Sequence, residues 1–247
     1  KDKKSPLVFT HAGEQVVEHG RELLAKGQDL VELGRLCQGG DMQGQLKVGC
    51  IPTIAPFLLC NLVQEVNVRF PELNMLLRED TTTNLLAALR QGELDVLILA
   101  LPVDIDGMES QIVGSDPFRM IISRNQADAI RTPIKYADLP DESVFLLEKE
   151  HCLTEHAVSA CQLTDKEKIN PFSATSLHTL VQMVANGLGT TFIPQMAIDH
   201  GLIENQNLVV VDAPGQQAHR HIGLVWRPSS SRVSTFNQLA EVVSELL

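Results

Sequence analysis

Several absences narrow the sequence first. No apolar run among its 247 residues is long enough to span a bilayer, so no membrane association is expected. No charged n-region followed by an apolar core opens the chain, so no secretory signal is read. An excess of positive charge is missing too. Lys and Arg number 20 against 31 Asp and Glu, a formal net charge of −11. A surface that grips phosphates needs the opposite balance, so this piece is not expected to hold nucleic acid itself. Cysteine is sparse and odd in number: Cys37, Cys50, Cys60, Cys152 and Cys161. An irregular, odd set without a signal peptide points to a reducing, cytoplasmic setting, where a disulfide is transient rather than structural. The rest is ordinary for a soluble globular chain, 44% hydrophobic and 21% charged. The opening KDKKSPLVFT reads as a cut or a tag scar, which makes the chain a fragment.

The organisation changes once along the chain. Residues 10–38 read as one long helix with Thr10 as N-cap. Apolar pairs recur seven residues apart (Val16 and Val17, Leu23 and Leu24, Leu30 and Val31), with Gly20, Gly27 and Gly34 on the same stripe. Glycine weakens a helix by up to about 1 kcal/mol, so three on one face imply close approach by another helix. The stripe is expected to bury against a second subunit or, failing that, against the chain's own domain. CQGGDMQG (37–44) then reads as a linker.

From residue 45, strands alternate with helices. Strand patterns fall at 46–51, 72–80, 94–101, 118–123, 143–148, 168–174, 189–194, 207–212 and 221–228, about ten candidates in all. Helical patterns fall at 55–70, 83–92, 153–162, 176–186 and 232–247. Such alternation predicts α/β architecture with a mostly parallel sheet. The expected plan is two Rossmann-like subdomains of periplasmic-binding-protein type behind an N-terminal linker helix. Its divisions are 1–43 for the linker helix, 44–114 with 221–247 for subdomain I, and 115–220 for subdomain II. A ligand or reactive site belongs in the crevice at the carboxyl ends of the strands. Three strand-to-helix junctions offer hydroxyls there: Thr53, then Thr81, Thr82 and Thr83, then Thr175 and Ser176. Hydroxyls beside free backbone N–H groups suit a small polar or anionic ligand, and they equally suit plain helix capping.

HCLTEHAVSAC (151–161) carries the remaining chemistry, and four readings compete. Cys152 and His156 are i, i+4 on a helix beside His151, but no second Cys/His cluster completes a metal site. A Cys–His hydrolase lacks a recognisable nucleophile signature. Ordinary packing fits, since free cysteine behaves as a small hydrophobe. A thiol switch also fits. Nine residues of helix separate the Cα atoms of Cys152 and Cys161 by roughly 13.5 Å, whereas a disulfide needs about 7 Å or less. The two can bond only if the helix unwinds, which couples oxidation to a change of shape.

Longer segments resemble a known family. LKVGCIPT, LLCNLVQEVNVRFPELNMLLRED, LLAALRQGELDVLIL and LVQMVANGLGTTFIPQMA resemble the effector domain of LysR-type transcriptional regulators, and LVFTHAGEQ resembles the start of that family's linker helix. LLEKEHCLTEHAVSAC, IPT, ATSL and GLVWRP are similar to its peroxide-sensing members. The resemblance implies a regulator activated by hydrogen peroxide, not an enzyme, with no cofactor and no metal. Cys152 would be the peroxide-reactive thiol and Cys161 the resolving one, passing through sulfenic acid. Thr53, Thr82 and His151 match the peroxide site, and the family's basic pair stands as His219 and Arg220. Implied partners are a second copy in a dimer and then a tetramer, DNA through a helix-turn-helix absent from this chain, RNA polymerase, and a thiol reductant such as glutaredoxin. Two positions depart from the pattern: Glu150 stands where Gly is usual, and Thr154 where Arg is frequent. A carboxylate near the thiol disfavours the thiolate unless it orients His151 or a peroxide proton. Two alternatives remain, a LysR-type regulator whose cleft binds a small metabolite and a periplasmic solute-binding protein. An enzyme is the weakest reading, because each turnover would demand re-reduction and refolding.

Overall fold

The computed structural model describes residues 9–128, 136–148, 152–213 and 218–247. Helix α1 (His11–Gly39) opens it, with the Thr10 hydroxyl accepting the Gly13 N–H at 3.1 Å as an N-cap. The apolar stripe does not lie on the chain's own domain: Val16, Leu23, Leu24, Leu30 and Val31 are all more than half exposed. The helix docks through another face. Ala25 is buried, in a close approach to Gly92 that leaves no room for a Cβ. Asp29 accepts from Arg227 at 2.8 Å.

The first α/β unit runs β1 (Gly44–Cys50), α2 (Ala55–Arg69), β2 (Leu73–Glu79), α3 (Thr82–Arg90) and β3 (Val96–Leu101). β1 lies between β2 and β3, parallel to both. β3 is buried at every position, as expected of a strand covered on both faces. β4 (Glu109–Ser123) then runs into the second unit: α4 (Arg124–Ala127), β5 (Val144–Leu147), α5 (Cys152–Ala160), β6 (Ile169–Ala174), α6 (Leu177–Ala185), β7 (Thr190–Pro194), α7 (Gln195–Asp199) and β8 (Leu208–Asp212). β5 pairs in parallel with β6 and β7. β9 (His219–Trp226) returns to the first unit, and α8 (Val233–Glu245) closes the chain.

The strands form one path, β2-β1-β3-β9-β4-β7-β5-β6, with β8 on β4. The sheet is mixed rather than mostly parallel. β9 is antiparallel to both β3 and β4, and β4 is antiparallel to β7 and β8. The cause is the crossing. A chain that leaves one unit on β4 and returns on β9 runs the second strand against the first. β4 begins at Glu109, well before the apolar run at 118, and the β4–β9 ladder joins the two units.

Among the described residues, four helices close with the same backbone motif, in which a left-handed residue lets the next N–H reach back five residues. Gly92 ends α3, Gly187 ends α6 and Gly201 ends α7 this way. In α5 the left-handed residue is Gln162 (φ 53), with Leu163 N–H bonded to Val158 O at 3.0 Å. Cys161 is thus the cap of a helix that starts at Cys152.

Candidate functional site

Arg220 joins the two units. Its side chain is fully buried on β9, where it faces its register partner Asp116 on β4. Nε and Nη2 donate to Asp116 Oδ2 at 3.1 and 2.9 Å. Nη1 donates to the Thr53 hydroxyl at 2.8 Å and Nη2 to the Thr53 carbonyl at 3.0 Å. The other carboxylate oxygen of Asp116 accepts the Met196 N–H of α7 at 2.9 Å. A buried charge is tolerable only when paired and hydrogen-bonded, and this one is both.

Cys152 begins α5 and is half-buried. Burial pushes its thiol above the ordinary value, and Glu155 adds to that. The Thr82 hydroxyl, the Arg220 charge and its own backbone N–H pull the other way, towards the thiolate. Thr82 is buried at the first turn of α3. Its hydroxyl makes no well-formed hydrogen bond, although it lies close enough to the sulfur to favour the charged form. Cys161 is buried, and burial pushes its thiol up to about 12. Burial raises the Cys50 thiol strongly as well. Cys50, Cys60, Cys152 and Cys161 are free thiols.

The Thr154 hydroxyl donates to Leu147 O at 2.8 Å and ties α5 to the end of β5. His156, one turn beyond Cys152, is buried, with Nε2 2.7 Å from the Pro102 carbonyl. A carbonyl only accepts, so Nε2 carries the hydrogen and Nδ1 the lone pair. Nδ1 is buried with no hydrogen-bond partner. Burial depresses this imidazole below its ordinary value, with Arg220 lowering it further and Pro102 O and Glu155 acting against that. The ring is therefore neutral at pH 7.

The structure thus brings Thr53, Thr82, Cys152 and Arg220 to one place, with Cys161 at the far end of α5. The other hydroxyls of the three junctions differ from these in exposure or bonding. Thr81 precedes α3 without capping it, and Thr83 is exposed. Thr175 is exposed, and Ser176 caps α6 by accepting the Thr179 N–H at 3.3 Å. His219 is adjacent to Arg220 on a strand and so points to the other face, where its ring packs edge-on against His221 at 4.8 Å. Glu150 and His151 lie outside the described residues. Sequence reasoning missed Asp116, and it considered His156 only as a metal ligand. Among the described residues no group of three His, Cys, Asp or Glu could hold a metal ion, and no helix is long and apolar enough to cross a membrane.

The LysR substrate binding domain family matches residues 39–247. The chain belongs to the LysR family. Among curated LysR-type relatives, the DNA-binding transcriptional dual regulator OxyR of Escherichia coli is 35% identical over 237 residues, covering 96% of this chain and 77% of that protein. The HTH-type transcriptional regulator EstR of Acinetobacter baylyi is 34% identical over 239 residues, 96% of this chain and 78% of the other. Among solved structures, the reduced regulatory domain of OxyR2 from Vibrio vulnificus is 84% identical. It covers 85% of this chain and 99% of its own, with a TM-score of 0.83. A hydrogen-peroxide-bound cysteine variant of Corynebacterium glutamicum OxyR is 32% identical over 97% of this chain and 76% of its own, with a TM-score of 0.76. The LysR fold of two α/β units is thereby established, and the chain is a redox-sensing regulatory domain of a transcription regulator, not an enzyme.

Proposed function

We propose that this domain senses hydrogen peroxide through Cys152 and Cys161. The observation that carries the reading is their placement at the two ends of α5. Cys152 is half-buried between Thr82 and the Arg220 charge, while Cys161 is sealed at the helix cap. The Cys152 thiolate attacks one peroxide oxygen, the O–O bond breaks, and sulfenic acid and hydroxide result, the hydroxide taking up a proton to leave as water. The Cys161 thiol then displaces that hydroxyl as a second water and forms the disulfide. With roughly nine residues of helix between them, the sulfurs meet only after residues 153–160 unwind. Curated relatives named hydrogen peroxide-inducible genes activators support the reading, as does the peroxide-bound relative.

In this proposal Thr53, Thr82, Arg220, His151 and Glu150 serve the peroxide site, whereas His219, on the other face of β9, does not. Thr53 and Arg220 do so as one buried unit, and Glu150 and His151 as sequence neighbours of the thiol. The working divisions are 1–43 as linker helix, 44–114 with 221–247 as subdomain I, and 115–220 as subdomain II. The exposed stripe on α1 pairs two copies, and dimers associate further to a tetramer. DNA is held by a helix-turn-helix domain, RNA polymerase is the transcriptional partner, a glutaredoxin-like reductant resets the thiols, and the protein works in the cytoplasm. Dilute peroxide followed by non-reducing peptide mapping tests the core of it. A Cys152–Cys161 disulfide with Cys50 and Cys60 still thiols is the expected product. Oxidation at the exposed Cys60 with Cys152 untouched overturns it.

A further inference from the structure

Among the described residues, Thr82 Oγ1, which lies close to the Cys152 sulfur, and His156 Nδ1 are buried without a well-formed hydrogen bond. Each is more than nine-tenths buried as a residue, and a buried unpaired polar atom costs free energy unless something occupies it. Thr82 comes from α3 in the first unit and His156 from α5 in the second, so both units contribute to the surroundings of Cys152. Cys152 and His156 are i, i+4 on α5 and share a face, with Cβ atoms about 5–6 Å apart in any such pair. The tautomer is fixed because Nε2 is committed to Pro102 O at 2.7 Å. The free lone pair of a neutral imidazole therefore lies buried, one helical turn from the reactive cysteine. Peroxide is small and both donates and accepts, so it has the chemistry to pair with either atom.

We propose that His156 is a proton-transfer residue of Cys152 oxidation, its Nδ1 taking the thiol proton and returning it to the departing hydroxide. The inference rests on the peroxide reading above. The thiol proton moves to Nδ1, and the sulfur lone pair attacks the nearer peroxide oxygen as the O–O bond breaks. Sulfur is oxidised by two electrons and peroxide is reduced by two. The leaving hydroxide takes the proton back from Nδ1 and departs as water, which restores the neutral ring. Arg220 reaches both partners by charge, lowering the proton affinity of thiol and imidazole together. Among the described residues Glu155 on its own helix also acts on the ring; of the strands packed against α5, β5 presents Val144, Phe145, Leu146 and Leu147, and β9 carries His219, Arg220 and His221.

The test is made in the Cys161→Ser background, where oxidation stops at sulfenic acid. Stopped-flow rates with hydrogen peroxide are compared with alkylation by iodoacetamide across pH 5.5 to 9. Iodide leaves without a proton, so only the peroxide reaction needs the return step. His156→Gln keeps an N–H for Pro102, and His156→Phe removes both nitrogens. Both variants are checked by circular dichroism, and the better-folded one is used. The expected result is a loss of about 10²-fold in the peroxide rate, within the usual range for a positioned acid–base group. Alkylation, which needs the thiol proton removed but none returned, falls much less than the peroxide rate, and the variant loses the fall in peroxide rate that the unsubstituted His156 shows as it is protonated at low pH. Equal losses in both reactions with an unaltered pH profile overturn the proposal and leave His156 a packing residue. If peroxide does not oxidise Cys152 even with His156 in place, the peroxide reading itself fails and takes the proposal with it.

Discussion

Arg220 and Asp116 face one another across the β4–β9 ladder, 2.9 Å apart and both sealed from water. Removing one member of a buried pair leaves the other charge uncompensated, which typically costs about 3–5 kcal/mol. Asp116→Ala is therefore expected to lower unfolding stability by about that amount in urea titration, and to free the α7 N-terminus from its Met196 bond. Arg220→Met removes the cation that favours the Cys152 thiolate, so the thiol pKa read from pH-dependent alkylation rises. A denaturation midpoint indifferent to Asp116→Ala contradicts the central place given to this pair.

The two site threonines separate by what their hydroxyls do. Thr53 Oγ1 accepts from a buried guanidinium, and a hydrogen bond to a charged group contributes about 1.5–3 kcal/mol. Thr53→Val should lose that amount in equilibrium unfolding. Thr82 Oγ1 makes no such bond, so Thr82→Val should leave stability within about 0.5 kcal/mol. It should still slow peroxide oxidation of Cys152, by about 10²–10³ if the hydroxyl positions the reacting oxygen. Unfolding curves and stopped-flow traces on the same two variants give both readings. Loss of stability in Thr82→Val without loss of rate reverses the assignment.

Thiol accessibility follows burial. Cys60 is exposed, Cys152 half-buried, and Cys50 and Cys161 are sealed. Alkylation of the native reduced protein at pH 8 followed by mass mapping should label Cys60 first and Cys152 second. Cys161, with its thiol pushed up to about 12, and the strongly raised Cys50 should label only on unfolding. Early labelling of Cys161 places the cap in water and removes the need to unwind α5.

Of the four helices that end in the same left-handed motif, only α5 does so without glycine. A non-glycine residue in that region costs about 1–2 kcal/mol, and here it weakens the helix that the disulfide must dismantle. Gln162→Gly should stabilise the reduced helix by about 1 kcal/mol. At 30 mV per 1.4 kcal/mol that raises the disulfide reduction potential by about 20 mV. Redox titration against glutathione measures the shift. An unchanged potential means that α5 keeps its cap in the disulfide form.

Much of this fold is legible in the sequence, because each strand–helix alternation shows in local periodicity. Thr10, the extent of α2 and the buried run of β3 all follow from pattern alone. The first half of β4 was hidden by GSDPF, where Gly114 and Pro117 imitate a turn. Gly114 lies at a bulge, and Pro117 sits where the strand passes from β9 to β7 and β8. Asp116, beside that proline, therefore reads as loop, and only the register with β9 reveals its partner. His156 fits a metal motif by spacing. Its role turns on the Pro102 carbonyl, 54 residues away in the chain. Local pattern supplied the threonines at the strand ends, but only tertiary pairing separates Thr53 and Thr82, at the thiol, from Thr175 and Ser176.

β9 carries Arg220 near its start, and Arg227 follows its last residue. One holds the ground beneath the thiol, and the other grips Asp29 of α1. Seven residues of extended chain separate them by roughly 23 Å. The strand is hydrogen-bonded on both edges, to β3 and to β4, so it has no slack in which a displacement can dissipate. It is one continuous, doubly paired strand that ties the ground beneath the thiol to the docking face of α1.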